Sequence, residues 1–117
     1  MKYLAIIIIL IFTSCYNDVK NVHIHGTIKD SLSNKPIENA KVSIVCWNYG
    51  KTPDGSYNGK DSLIVTTDKE GHYKSNFEKG TFVEIKVDNI GYKTGFKSDE
   101  ITDNEVVIDL DLVPLQR

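Results

Sequence analysis

Histidine is the most versatile metal ligand and acid–base group available to a protein near neutral pH, and two of the chain's three, His23 and His25, stand two residues apart. Residues i and i+2 of a strand point to one face, so this pair could fill two positions of a metal shell. A zinc site needs three or four ligands, and His72 or an aspartate from another strand would have to complete the set. The alternative is a pair of solvent-facing polar side chains on the wet side of an edge strand. A second cluster is aromatic. Trp47, Tyr49 and Tyr57 lie in or beside the irregular stretch 48–61, which holds Pro53 and three glycines among Asn and Ser. That composition joins rigid aromatic contact area to adaptable hydrogen bonding. Such rings could stack on sugars or against a protein partner; alternatively they cover an edge of the fold. Irregular connections longer than about 12 residues are often functional.

Other chemistries lack their residues. Asp68, Glu70 and Gly71 suggest a calcium loop, but the spacing requires an acid where Thr66 stands and a closing glutamate where Phe77 stands. A hairpin turn fits better. Neither a Gly-x-Ser-x-Gly elbow, a His-Glu-x-x-His pair nor a phosphate loop occurs, so the expectation is a non-enzyme without a cofactor. Fourteen Lys and Arg are scattered among sixteen Asp and Glu, for a formal net charge of -2. Nucleic-acid binding normally needs a clustered basic face, and nucleic acid is discounted as a partner.

The two cysteines belong to different parts of the chain. Lys2 precedes an unbroken apolar run of nine residues, 4–12, which Thr13, Ser14 and Cys15 follow. A spanning helix needs about 20 apolar residues, so the run reads as the core of a secretory signal peptide. Phe12-Thr13-Ser14-Cys15 resembles the lipobox of bacterial lipoproteins, with Phe12 where leucine is more usual. The resemblance implies that residues 1–14 are removed, that Cys15 carries acyl chains such as palmitate, and that 15–21 form a short tether. Two or more acyl chains hold a protein stably at a membrane without spanning it. Tyr16 follows the cysteine, where inner-membrane retention in some bacteria uses Asp; the outer membrane is therefore the expected location, on a face left open. With Cys15 acylated, Cys46 has no partner for a disulfide. It shares a strand face with Val42 and Ile44 and reads as a small buried hydrophobe.

The elements that would position these groups are strands. Residues 22–29 alternate, with Val22, Ile24, Gly26 and Ile28 on one face and His23, His25, Thr27 and Lys29 on the other. A turn region follows over 30–39, with residues 34–37 as its tight turn. The β-rich run 40–47 is the expected central strand, placing Val42, Ile44 and Cys46 opposite Ser43, Val45 and Trp47. Further short strands are expected over 62–67, 72–77, 81–90, 91–97 and 106–112. No stretch of ten residues has a helical period. Seven short strands predict an all-β, antiparallel seven-stranded β-sandwich of Greek-key type over one domain, 22–117.

Four separated motifs carry a further resemblance. Gly26-Thr27-Ile28-Lys29-Asp30, then residues 35–42 around Pro36, then Thr66-Thr67-Asp68-Lys69-Glu70-Gly71-His72-Tyr73, and lastly Asn89-Ile90-Gly91-Tyr92 resemble the carboxypeptidase regulatory-like domain, a transthyretin-like (prealbumin-like) β-sandwich. Each motif has a scaffold reason. Gly26 admits a close neighbour, Pro36 pre-sets φ before the central strand, Gly71 can take positive φ in a hairpin, and Gly91 permits a bend before Tyr92 packs. The resemblance implies a structural or interaction module. The expected role is a non-catalytic, membrane-anchored module that binds an envelope protein or glycan through Trp47, Tyr49 and Tyr57. Alternatives are a metal-binding surface protein using His23 and His25, and a purely structural envelope protein.

Overall fold

In a computed structural model the chain is described over residues 18–49 and 59–115. Cys15, Tyr57 and the proposed signal peptide lie outside the described residues. Eight strands follow in order: β1 (Val19–Asp30), β2 (Lys41–Asn48), β3 (Gly59–Thr66), β4 (His72–Gly80), β5 (Phe82–Asp88), β6 (Gly95–Glu100), β7 (Glu105–Val107) and β8 (Leu110–Leu112). They form two sheets. One has β1 at its centre, with β4 antiparallel on one side and β7 and β8 parallel on the other; the second runs β3-β2-β5-β6, antiparallel throughout.

Alternation decides which side chains face inward. Val22, Ile24 and Ile28 from β1 meet Val42, Ile44 and Cys46 from β2, Val83, Ile85 and Val87 from β5, and Tyr73 and Phe77 from β4. All are buried, and each large apolar side chain contributes about 1.5–3 kcal/mol by leaving water. The 40–47 stretch is central as expected, because β2 pairs on both edges, with β3 and β5.

The all-β sandwich expected from the sequence is what forms, with differences of detail. The expected strand over 106–112 opens in its middle, giving eight strands in place of seven. Ile24 faces Val106 and Ile28 faces Leu110, so the register is unchanged across the gap. Between them the Ile108 N–H donates to the His25 carbonyl at 2.9 Å, and Asp109 Oδ1 accepts the Thr27 N–H at 2.8 Å. The backbone of Ile108 sits where a β-carbon on Gly26 would be, which the glycine permits. Parallel pairing arises because the chain crosses from the edge strand β6 to the other sheet. β1 starts at Val19 and β3 at Gly59, each three residues earlier than expected. The tight turn falls at 30–35, where the Asp30 N–H reaches the Lys35 carbonyl at 2.9 Å and Asn34 takes φ 60°. Pro36 instead bridges back to Lys29. Gly71 and Gly91 take φ values of 76° and 90°, as their turns require.

Candidate functional site

His23, His25 and Thr27 leave the outer face of β1. The antiparallel register of β4 puts Asn76 opposite His23, Lys74 opposite His25 and His72 opposite Thr27. From the other side β7 puts Glu105 beside His23 and Val107 beside His25. The result is an open groove of about 560 Å³ that all three histidines line.

Hydrogen bonds fix several of these side chains. His23 Nδ1 is hydrogen-bonded to the side-chain amide of Asn76. His25 Nε2 lies 3.2 Å from Glu105 Oε2, a contact that becomes an ion pair when the imidazole is protonated. Asp109, at the rim, is held by the Thr27 N–H, and its carbonyl accepts Lys97 Nζ at 2.9 Å. The groove thus offers imidazole faces, an amide, an ammonium and two carboxylates on rigid strands.

Among the described residues no group of three His, Cys, Asp or Glu side chains stands close enough to hold a metal ion. His72 is not drawn to the pair; its Nδ1 lies 3.7 Å from Glu70 Oε2 instead. Alternation on residues 72–77 already places His72, Lys74 and Asn76 outward. Their pairing with the His23–His25 face, and the arrival of Glu105 from far along the chain, depend on sheet topology that no local pattern carries.

Trp47 stands on the opposite sheet. Its indole Nε1 donates to Glu84 Oε1 at 2.6 Å, and Lys60 Nζ lies 5.1 Å from the ring centroid, in reach of a cation–π attraction. Phe82 is its neighbour on β5. Tyr49 follows two residues on, its N–H donating to Asp18 Oδ1 at 3.0 Å. The structure therefore gathers Trp47 and Tyr49 at one end of the molecule, while His23 and His25 lie on the other sheet.

Among the described residues no activated thiol accompanies either face. Cys46 is fully buried, and burial first, then the charges of Asp61 and Asp18, push its thiol up to about 11. Burial, with Asp109 nearby, likewise holds the Tyr73 phenol well above its ordinary range; its hydroxyl donates to the Ile108 carbonyl at 2.6 Å.

No protein-family model matches the sequence, and no curated protein matches it. Solved structures do. Catechol 1,2-dioxygenase from Acinetobacter sp. ADP1 superposes with a TM-score of 0.62 at 19% identity, over 84% of this chain and 54% of that one. 3-Chlorocatechol 1,2-dioxygenase from Rhodococcus opacus 1CP gives 0.62 at 8% identity, over 83% and 60%. Shaft pilin SpaA from Lactobacillus rhamnosus GG gives 0.58 at 16% identity, over 83% and 48%. The likeness is one of fold, a transthyretin-like or immunoglobulin-like β-sandwich. This chain spans about half the length of those proteins, and a shared fold does not carry an activity with it.

Proposed function

We propose that the chain is a non-catalytic binding module of the bacterial cell envelope, held at the outer membrane by acyl chains on Cys15, and that its ligand is a glycan lying in the groove on the outer face of the β1 sheet. The observation that carries this is the groove itself: His23, His25, Thr27, Lys74, Asn76 and Glu105 converge on one open surface built from three strands. Hydroxyl-rich rings need donors and acceptors set at fixed spacings, with flat faces to pack on, and imidazole, amide, ammonium and carboxylate supply both. Rigid strands position such groups more exactly than loops do. The inert setting of Cys46 supports a binding role over nucleophilic catalysis. The motifs around Gly26, Pro36, Asp68 and Gly91 support the finer family reading of a carboxypeptidase regulatory-like domain.

Amide-resolved NMR titration of the mature chain with fragments of envelope polysaccharide tests the reading. Shift changes centred on His23, His25, Lys74 and Asn76, lost in a His25→Ala/Asn76→Ala variant, are expected. Shifts confined to the Trp47 end would move the site to the opposite sheet. A response to protein extracts alone would make the ligand a protein.

A further inference from the structure

We infer that the sandwich stands upright on its tether, with the end carrying Trp47 and Tyr49 laid against the lipid surface. The inference rests on the lipid-anchor reading of Cys15 and adds to it an orientation and a second contact surface.

The geometry starts at Asp18. Three residue steps separate it from Cys15, and three steps span at most about 11 Å however the chain runs. Asp18 is itself fastened: its carboxylate accepts the Tyr49 N–H at 3.0 Å, and the next residue, Val19, already pairs with Gly80 in the β1–β4 ladder. A reach of that length cannot carry the body end over end. Whatever lies at the start of β1 must lie close to the acyl chains.

Four other strand ends meet there. Trp47, next to last in β2, pairs with Lys60 near the start of β3 and Phe82 at the start of β5, while Phe82 pairs with Glu100 at the end of β6. The Thr81 N–H donates to the Trp47 carbonyl at 2.7 Å, and the Ile101 N–H to the Thr81 carbonyl at 2.9 Å. Among the described residues, the membrane-facing end carries the half-buried rings of Trp47, Phe82 and Tyr49. Trp and Tyr are the residues that settle at a lipid–water boundary, an apolar body inward and a polar tip in the headgroups. Among the described residues near this end, Asp18, Asp61 and Glu100 balance Lys20, Lys60 and Lys79 in number. Anionic headgroups therefore do not drive the contact; the tether and the aromatic rings do. The turn carrying Ile90, which is 97% exposed, points the opposite way, beyond the far end of β5. The glycan groove, midway along β1, is then presented sideways above the lipid.

Trp47 is the sole tryptophan, which makes the orientation measurable by energy transfer. The acylated full-length protein is reconstituted in phosphatidylcholine vesicles carrying a dansyl-headgroup lipid. Transfer is compared between the native protein and a W47F/I90W variant, whose tryptophan is moved more than about 20 Å up β5. Strong transfer from Trp47, weaker by about fivefold or more from position 90, is expected. Equal transfer, or stronger transfer from position 90, overturns the orientation while leaving the anchor intact. Vesicle flotation and the mass of the Cys15 peptide report on the anchor separately. A protein that neither floats nor carries acyl mass removes the anchor and this orientation with it.

Discussion

Gly26 lies beneath the carbonyl of Ile108, in a space that a β-carbon on Gly26 would have to share with that oxygen. The same oxygen accepts the Tyr73 hydroxyl at 2.6 Å, so β1, β4 and the link between β7 and β8 lock at this point. The obstructing atom is backbone, held by its neighbours on both sides, and cannot yield as a flexible side chain would.

Gly26→Ala is therefore expected to cost about 3 kcal/mol, the upper end of what overpacking costs. Gly91→Ala is the control. Nothing stands within 4 Å of a β-carbon there, and the positive φ of 90° leaves a penalty of about 1–2 kcal/mol. Guanidinium unfolding of both variants reads the difference. Displacing Ile108 also shifts Glu105 and Asp109, so the Gly26 variant should weaken groove binding while the Gly91 variant leaves it unchanged.

The phenol of Tyr73 makes the complementary case. Tyr73→Phe keeps the ring in the core and takes a donor from a buried carbonyl, a loss of about 1–3 kcal/mol. Urea unfolding with an unchanged m-value is expected. A stability equal to the native protein would show that the carbonyl is satisfied without the hydroxyl.

What the sequence disclosed follows from the range of the physics involved. Period-two alternation is local, and it placed Val22, Ile24 and Ile28, then Val42, Ile44 and Cys46, on inward faces where they are found. Gly26 was legible as a close-approach site, but not its neighbour, Ile108, which lies 82 residues on. The same limit hid the groove. His23 and His25 could be placed on one face, whereas Asn76 and Glu105 arrive only through an antiparallel and a parallel pairing. The opening of the expected 106–112 strand was invisible for a further reason. It comes from Asp109 accepting the Thr27 N–H in place of a ladder bond, a choice that leaves the hydrophobic pattern untouched.

Cys46 should behave as core. With its thiol pushed up to about 11, it is almost wholly protonated at pH 8, and it is sealed from solvent. In a Cys15→Ser chain, a disulfide reagent at pH 8 is expected to modify Cys46 only at the rate of unfolding, with stoichiometric reaction in denaturant. Rapid reaction under native conditions would contradict the buried placement. Cys46→Ser should lower stability by about 1–3 kcal/mol through the buried hydroxyl.

One bond between two turns ties stability to pH at both extremes. Asp30 Oδ2 accepts the Tyr92 hydroxyl at 2.7 Å, while Oδ1 accepts the Leu32 and Ser33 N–H groups at 2.8 and 3.0 Å. The Ser33 N–H first, then Tyr92 and the Leu32 N–H, hold the Asp30 carboxyl below its ordinary 3.8; the His72 N–H does the same for Asp68. A carboxyl whose folded pKa is depressed contributes stability above its unfolded value, lost as pH falls below about 4 and through the folded pKa. For Tyr92 the sign reverses. The bond to Asp30 favours the protonated phenol and raises its pKa above the ordinary 10.0, so that contribution is complete below pH 10 and disappears as pH rises beyond it. Melting temperatures from pH 2.5 to 11 should therefore separate the variants. Asp30→Asn is expected to melt lower than the native protein at pH 7 and to approach it as pH falls below the ordinary 3.8 and through the lowered folded pKa. Tyr92→Phe should melt lower at pH 7 and draw closer to the native protein as pH rises past 10 and through the raised folded pKa, where ionised Tyr92 no longer donates. A constant gap across the range for either variant would mean that its loss is one of packing, and that the Asp30–Tyr92 bond does not couple the two turns.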